Sequence, residues 1–113
     1  MTKSDFDYDE KNDILYIHRD VKAKGSVNIG DFVIDISHNG RLAGLEIMNA
    51  SKTISKFISK RVTKKMLTGI KKAGIHADYE GNAIYVYYML VLTQRNMEIN
   101  DRLPVPMPMA VYS

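Results

Sequence analysis

Five carboxylates crowd the start of this chain: Asp5, Asp7, Asp9, Glu10 and Asp13. Alternate acids of this kind are what a calcium-binding loop uses. Such a loop also needs a glycine at its sixth position and a glutamate at its twelfth. Counted from Asp5, those positions hold Glu10 and Tyr16. Phe6 and Tyr8 alternate with the acids as the apolar side of a half-buried strand does. Asp5, Asp7 and Asp9 are therefore read as the wet face of a strand running into a turn, and no metal ligand is assigned.

The three histidines, His18, His38 and His76, are no better placed for chemistry. None lies three or four residues from another, and no metalloprotease pattern surrounds them. They read as surface residues in a turn or near strand ends. Cysteine is absent, which excludes disulfides, thiolate catalysis and cysteine metal sites. No nucleophile elbow, phosphate-cradling glycine loop or dinucleotide fingerprint occurs. Asp35 and Glu46 could face each other across a hairpin, but nothing around them makes them catalytic. No catalytic, metal-binding or cofactor-binding residue is assigned, and the expectation is a binding protein without a cofactor.

The clearest functional signal is a block of cations. Residues 51–77 carry Lys52, Lys56, Lys60, Arg61, Lys64, Lys65, Lys71 and Lys72 with no acid among them, although the net charge of the whole chain is only +3. The flanking segments are each net acidic. Segregation of this kind points to an anionic partner, or to a second copy meeting this one acid to base. Eight cations could neutralise several phosphates of a nucleic acid and make binding salt-dependent. No aromatic RNA-binding strand motif, GXXG loop or zinc finger accompanies them. A solvated helix face is the plain alternative.

Composition frames these residues. The chain has 113 residues, 45% hydrophobic and 26% charged, which suits one globular domain over residues 1–113. The amino terminus lacks the apolar stretch of a signal peptide. The longest apolar run, Ile84 to Leu92, is about half the ~20 residues of a membrane-spanning helix. A cytoplasmic protein without membrane contact is expected.

The elements that must position these residues follow from periodicity. Asp5 to Tyr8 and Asp13 to His18 read as a hairpin around a polar turn. Lys22 to Ser26 reads as a loop. Phe32 to Ile36 and Leu42 to Met48 read as a second hairpin around Asn39-Gly40, residues that both tolerate positive φ. Gly44 inside the last strand hints at a bulge or a close backbone approach.

Asn49 or Ser51 is placed to cap a helix. Ile54, Phe57, Ile58, Val62, Met66, Leu67 and Ile70 then fall three and four apart, one apolar stripe with the cations between. A break near 59–63 is expected, with Thr63 a possible second cap and Gly74 the stop of a basic helical segment over 51–73.

Ile75 to Tyr79 and Ala83 to Thr93 flank the turn Glu80-Gly81-Asn82, and Met97 to Leu103 reads as a further strand, giving a second hairpin region at 75–103. Along the long strand, Tyr85, Tyr87, Met89 and Val91 lie on one face, with Ile84, Val86, Tyr88, Leu90 and Leu92 on the other. Both faces are apolar, so both must be covered. A helix is expected on one. A second subunit, or the proline-rich extended tail 104–113, is expected on the other. A homodimer using Tyr85, Tyr87, Met89 and Val91 follows. The fold class is α+β: about five or six antiparallel strands in hairpins, packed with one kinked or two short helices at about 50–73.

Certain residues also carry a likeness. Tyr8-Asp9-Glu10, Asp13-Ile14-Leu15-Tyr16-Ile17, Val33-Ile34-Asp35-Ile36 and the run from Asn39-Gly40-Arg41 through Gly44 to Asn49-Ala50-Ser51 occur in that order. The string resembles the DUF2283 family, small prokaryotic proteins of unknown function. The likeness spans Asp5 to Ser51, with Ser37-His38-Asn39 in place of a more acidic turn and Leu45 and Met48 in place of isoleucine and leucine. It implies a double hairpin followed by a helix and supplies no catalytic residues. Some members look like partners of small toxin-like proteins, so the likeness also admits an antitoxin-like binding role.

Overall fold

A computed structural model describes residues 4–106. Eight strands form two antiparallel sheets, with two short helices in the chain between them. The first sheet holds β1 (Asp5–Asp9), β2 (Ile14–His18), β3 (Ala23–Ile29), β4 (Phe32–Ser37) and β5 (Leu42–Ile47), in the order β1-β2-β5-β4-β3. After α1 (Ala50–Ile58) and α2 (Lys64–Thr68) comes the second sheet of β6 (Ile70–Glu80), β7 (Ala83–Leu92) and β8 (Glu98–Pro106), with β7 central. A single 3-10 turn at Gln94–Asn96 joins the last two strands.

The alternation of Ile14-Leu15-Tyr16-Ile17-His18 buries Leu15 and Ile17 completely, and Leu45, Ile34, Ile47 and Phe32 stand on the same face across the ladder. The inner face of β7 (Ile84, Val86, Tyr88, Leu90, Leu92) is equally buried, and one core joins both sheets, with the Phe32 and Tyr88 rings 6.4 Å apart. A sheet, rather than only a helix, therefore shares in covering β7.

Arg19, just past β2, ties the halves together. Its guanidinium donates to the carbonyl of Leu42 at 3.3 Å and to that of Ile75 at 2.8 Å. Its Nε is buried and has no hydrogen-bond partner among the described residues. Leu42 N–H also donates to the Tyr79 hydroxyl at 3.0 Å.

Several expectations need correction. Among the described residues the strands number eight, not about five or six: each of the seven segments read as a strand forms one, and β3 replaces the expected loop at Lys22 to Ser26. It is an edge strand exposed along its first half; only Val27 and Ile29, at its end, alternate as half-buried residues against the core. The helical segment is shorter than 51–73. The chain breaks at residues 59–63, with Ser59 left-handed at φ 56° and Thr63 accepting the Met66 amide as the cap of α2. Gly74 does not stop a helix; it lies within β6 opposite Met89. Lys71 and Lys72 are thus on a strand. Neither Asn49 nor Ser51 caps α1 with its side chain: Asn49 is left-handed at φ 48° and the Ser51 amide goes to Asp13. Asp35 and Glu46 do not face each other; they stand opposite Gly44 and Val33.

Pro104 and Pro106, expected in an extended tail, are extended as the last part of β8, opposite Tyr85 and Ala83. The rest of the expected tail lies outside the described residues. Among those residues no helix is long and apolar enough to cross a membrane.

Candidate functional site

Three arrangements draw on the residues singled out by sequence. The first sits at the start of α1. Asp13, left-handed at φ 55° and 6% exposed, ends the β1–β2 turn. Its carboxylate accepts the Ser51 hydroxyl at 2.7 Å, the Ser51 amide at 3.0 Å and the Tyr8 hydroxyl at 2.8 Å, while its carbonyl accepts the Ala50 amide at 2.8 Å. Asp13 thus supplies from 38 residues away the cap that the left-handed Asn49 cannot, and the negative charge a helix start favours. Burial pushes its carboxyl up, but the Ser51 and Tyr8 hydroxyls, the Ser51 amide and the nearby Lys64 more than offset it. The group titrates below the ordinary carboxylate value. The Tyr8 hydroxyl is driven far up, by burial and then by the Asp13 carboxylate. A buried, ionised carboxylate whose partners all donate to it holds structure together; it has no free side for a substrate.

On the outer face of the first sheet, the Tyr16 hydroxyl donates to Asp35 at 3.1 Å. A Cβ on Gly44 would lie 3.0 Å from that hydroxyl and 3.3 Å from the Asp35 carboxylate. The glycine is required for this close approach. His18 stacks on Tyr16 at 4.8 Å and stands 3.6 Å from the Asp7 carboxylate. Asp5, Asp7 and Asp9 are exposed along β1, and the Asp9 side chain closes the turn by accepting the Asn12 amide and side chain.

The second arrangement is the cationic block. All eight of its side chains are exposed. Lys52 and Lys56 lie one turn apart on α1, Lys60 and Arg61 in the break, Lys64 and Lys65 in α2, and Lys71 and Lys72 at the start of β6. Among the described residues none of them makes an ion pair, and Lys71 donates to the Asn96 side chain at 2.6 Å. Between α1 and the end of β8 a groove of about 470 Å³ is lined by Phe32, Ile34, Phe57, Leu103 and Val105, with Lys52, Lys56 and Asp31 also on its wall. Phe57, read from sequence as part of the buried stripe, is 52% exposed here and meets Phe32 edge to face.

The third is the outer face of β6-β7-β8. Tyr85, Tyr87, Met89 and Val91 run down the central strand, each half-buried. The flanking strands supply the cover. Arg102 lies 5.0 Å over the Tyr85 ring and His76 6.0 Å from Tyr87, with His76 Nε2 also 2.9 Å from Asp78. The elements that β7 touches most are β6, β8 and the 3-10 turn, all in or at the end of its own sheet.

The ordered string resolves into two sets of contacts: Tyr8, Asp13 and Ser51 at the start of α1, and Tyr16, Asp35 and Gly44 on the outer face of the first sheet. Residues 5–51 match the DUF2283 family. Its description is a protein of unknown function. The matched DUF2283 segment ends where α1 begins, so it holds the whole first sheet and the Asp13 cap and leaves out all eight cations of the basic block and all of the second sheet. An uncharacterized protein of Methanocaldococcus jannaschii is 41% identical over 51 residues, 44% of each chain. The chain thus spans less than half the length of this curated relative. No solved structure matches.

Proposed function

We propose that this chain is a non-catalytic interaction module that self-associates through the outer face of β6-β7-β8. The observation that carries this reading is the stripe Tyr85-Tyr87-Met89-Val91 on the central strand of a sheet whose other face is already in the core. Tyrosine and methionine at the centre, with charge on the flanking strands, is the composition of a protein–protein contact. Sedimentation across a concentration series tests it. The expected result is a reversible monomer–dimer equilibrium that Met89→Glu abolishes while the fold is kept. A monomer at every concentration overturns it.

A second reading is nucleic-acid binding through the cationic block. The observation favouring it is that eight exposed cations have no carboxylate partner among the described residues. Gel-shift titration over a salt series tests it. Phosphate-driven binding weakens steeply as salt rises, and no binding at low salt overturns it.

A further inference from the structure

The edges of the apolar stripe carry charge in opposite orders. Directly opposed residues of an antiparallel ladder share a face. Val91 is opposite Lys72 on β6 and Glu98 on β8; Tyr87 is opposite His76 and Arg102; Tyr85 is opposite Asp78 and Pro104. Read from the Val91 end, β6 presents a cation and then a carboxylate, and β8 a carboxylate and then a cation. Lys72, Asp78, Glu98 and Arg102 are all exposed.

A surface with this pattern is complementary to itself. We propose that the occupant of this face is a second copy of the same chain, related by a two-fold axis parallel to the strands, with β6 of each protomer over β8 of the other. This rests on the self-association proposed above and adds its partner orientation. The axis sets Lys72 of one protomer against Glu98 of the other, twice by symmetry, and brings Asp78 toward Arg102. The stripe then stacks on its own copy. The alternative axis, across the strands, satisfies fewer charges: with Glu98 over Pro104 it pairs Lys72 with Asp78 but leaves Glu98 without a cation. An isologous contact of this kind closes at two copies.

The area sets the strength. With a rise of ~3.4 Å per residue and ~4.8 Å between strands, the face is roughly 400 Å². That is about half of the ~800 Å² per partner of a standard stable interface. The dimer is weak and reversible, and the charges choose its orientation more than they hold it.

Charge exchange tests the orientation. Lys72→Glu alone and Glu98→Lys alone each weaken dimerisation about tenfold, and the double exchange restores it to within about threefold. Asp78→Arg with Arg102→Asp repeats the test at the other corner, so a single variant that misfolds does not decide it. A dimer indifferent to both exchanges overturns the orientation and leaves the face reading standing. A wild-type monomer up to about 1 mM overturns both. A monomer that binds a fluorescent single-stranded oligonucleotide, and loses it on Tyr87→Ala, assigns the face to nucleic acid and overturns the proposal.

Discussion

The Asp13 carboxylate accepts the Ser51 hydroxyl at 2.7 Å, joining the first turn of the chain to the start of its first helix. The same carboxylate takes the Ser51 amide and the Tyr8 hydroxyl, and its residue is left-handed. Asp13→Ala removes three hydrogen bonds to a charged acceptor and puts alanine at positive φ. A loss of about 2–4 kcal/mol is expected in denaturant unfolding. Asn tolerates the left-handed region and still accepts, so Asp13→Asn recovers part of the loss. Equal stability of all three proteins would show that Asp13 does not cap α1.

Acid unfolding follows from the same group. Its folded pKa lies below the unfolded one, so its stabilisation is present in full above the ordinary carboxylate value of about 3.9 and is lost as pH falls from there through the folded pKa. Wild type is expected to lose more stability over that window than Asp13→Asn does. Parallel acid titrations followed by circular dichroism read the difference.

At high pH the tyrosines dominate. Burial first, then the Asp13 carboxylate, raises Tyr8; burial, then Asp35, raises Tyr16; burial, then Asp101 at 3.0 Å, raises Tyr88. The folded state holds these protons above pH ~10 while the unfolded state releases them, so stability falls as pH rises past that point. Absorbance of ionised tyrosine should show these three groups appearing together with unfolding. Smooth titration of every tyrosine in the folded protein would contradict the burial of Tyr88.

Gly44 is a question of space. A methyl group there meets Tyr16 and Asp35 at 3.0–3.3 Å, so Gly44→Ala crowds both and the Tyr16 ring must give by a few tenths of an ångström, at the expense of its hydrogen bond to Asp35. A cost of about 1–3 kcal/mol is expected. In the Tyr16→Phe background, with the hydroxyl gone, part of that cost disappears. A double-mutant cycle measures the coupling.

Arg19 bridges the two sheets through the carbonyls of Leu42 and Ile75. Arg19→Met removes both of these hydrogen bonds from a charged donor and is expected to cost about 2–3 kcal/mol. Hydrogen exchange locates the damage: protection should fall around Ile75 and Leu42 before it falls in β4. Uniform loss would place the role of Arg19 elsewhere.

The parts of this fold that could be read from sequence are those whose signal is local. Asn39-Gly40 and Glu80-Gly81-Asn82 mark tight turns, and the alternation through Leu15 and Ile17 or along Ala83 to Leu92 marks strands with defined faces. β3 is not legible because its first half, with Gly25 and Ser26, is exposed, and Val27 and Ile29 alone are too short an alternation to mark a strand. The helix reads too long in the sequence because Ile70 continues its spacing and the lysines continue past it, so nothing in the pattern marks the change to β6. The Asp13–Ser51 cap joins positions 38 apart, and no periodicity reports such a contact. The tyrosine stripe could be placed on one face, but whether a helix or a sheet lay behind it depended on how the halves dock.

The two prolines at the end of β8 bear on a different hazard. Among the described residues β8 pairs with β7 on one side only, and proline has no amide hydrogen to offer a newcomer on the other. A strand approaching there from another molecule would find missing rungs opposite Pro104 and Pro106. Ribbon growth from this border, the route to fibrils, is thereby discouraged. Whatever covers the outer face of the second sheet, its β8 border is a poor template for a further strand.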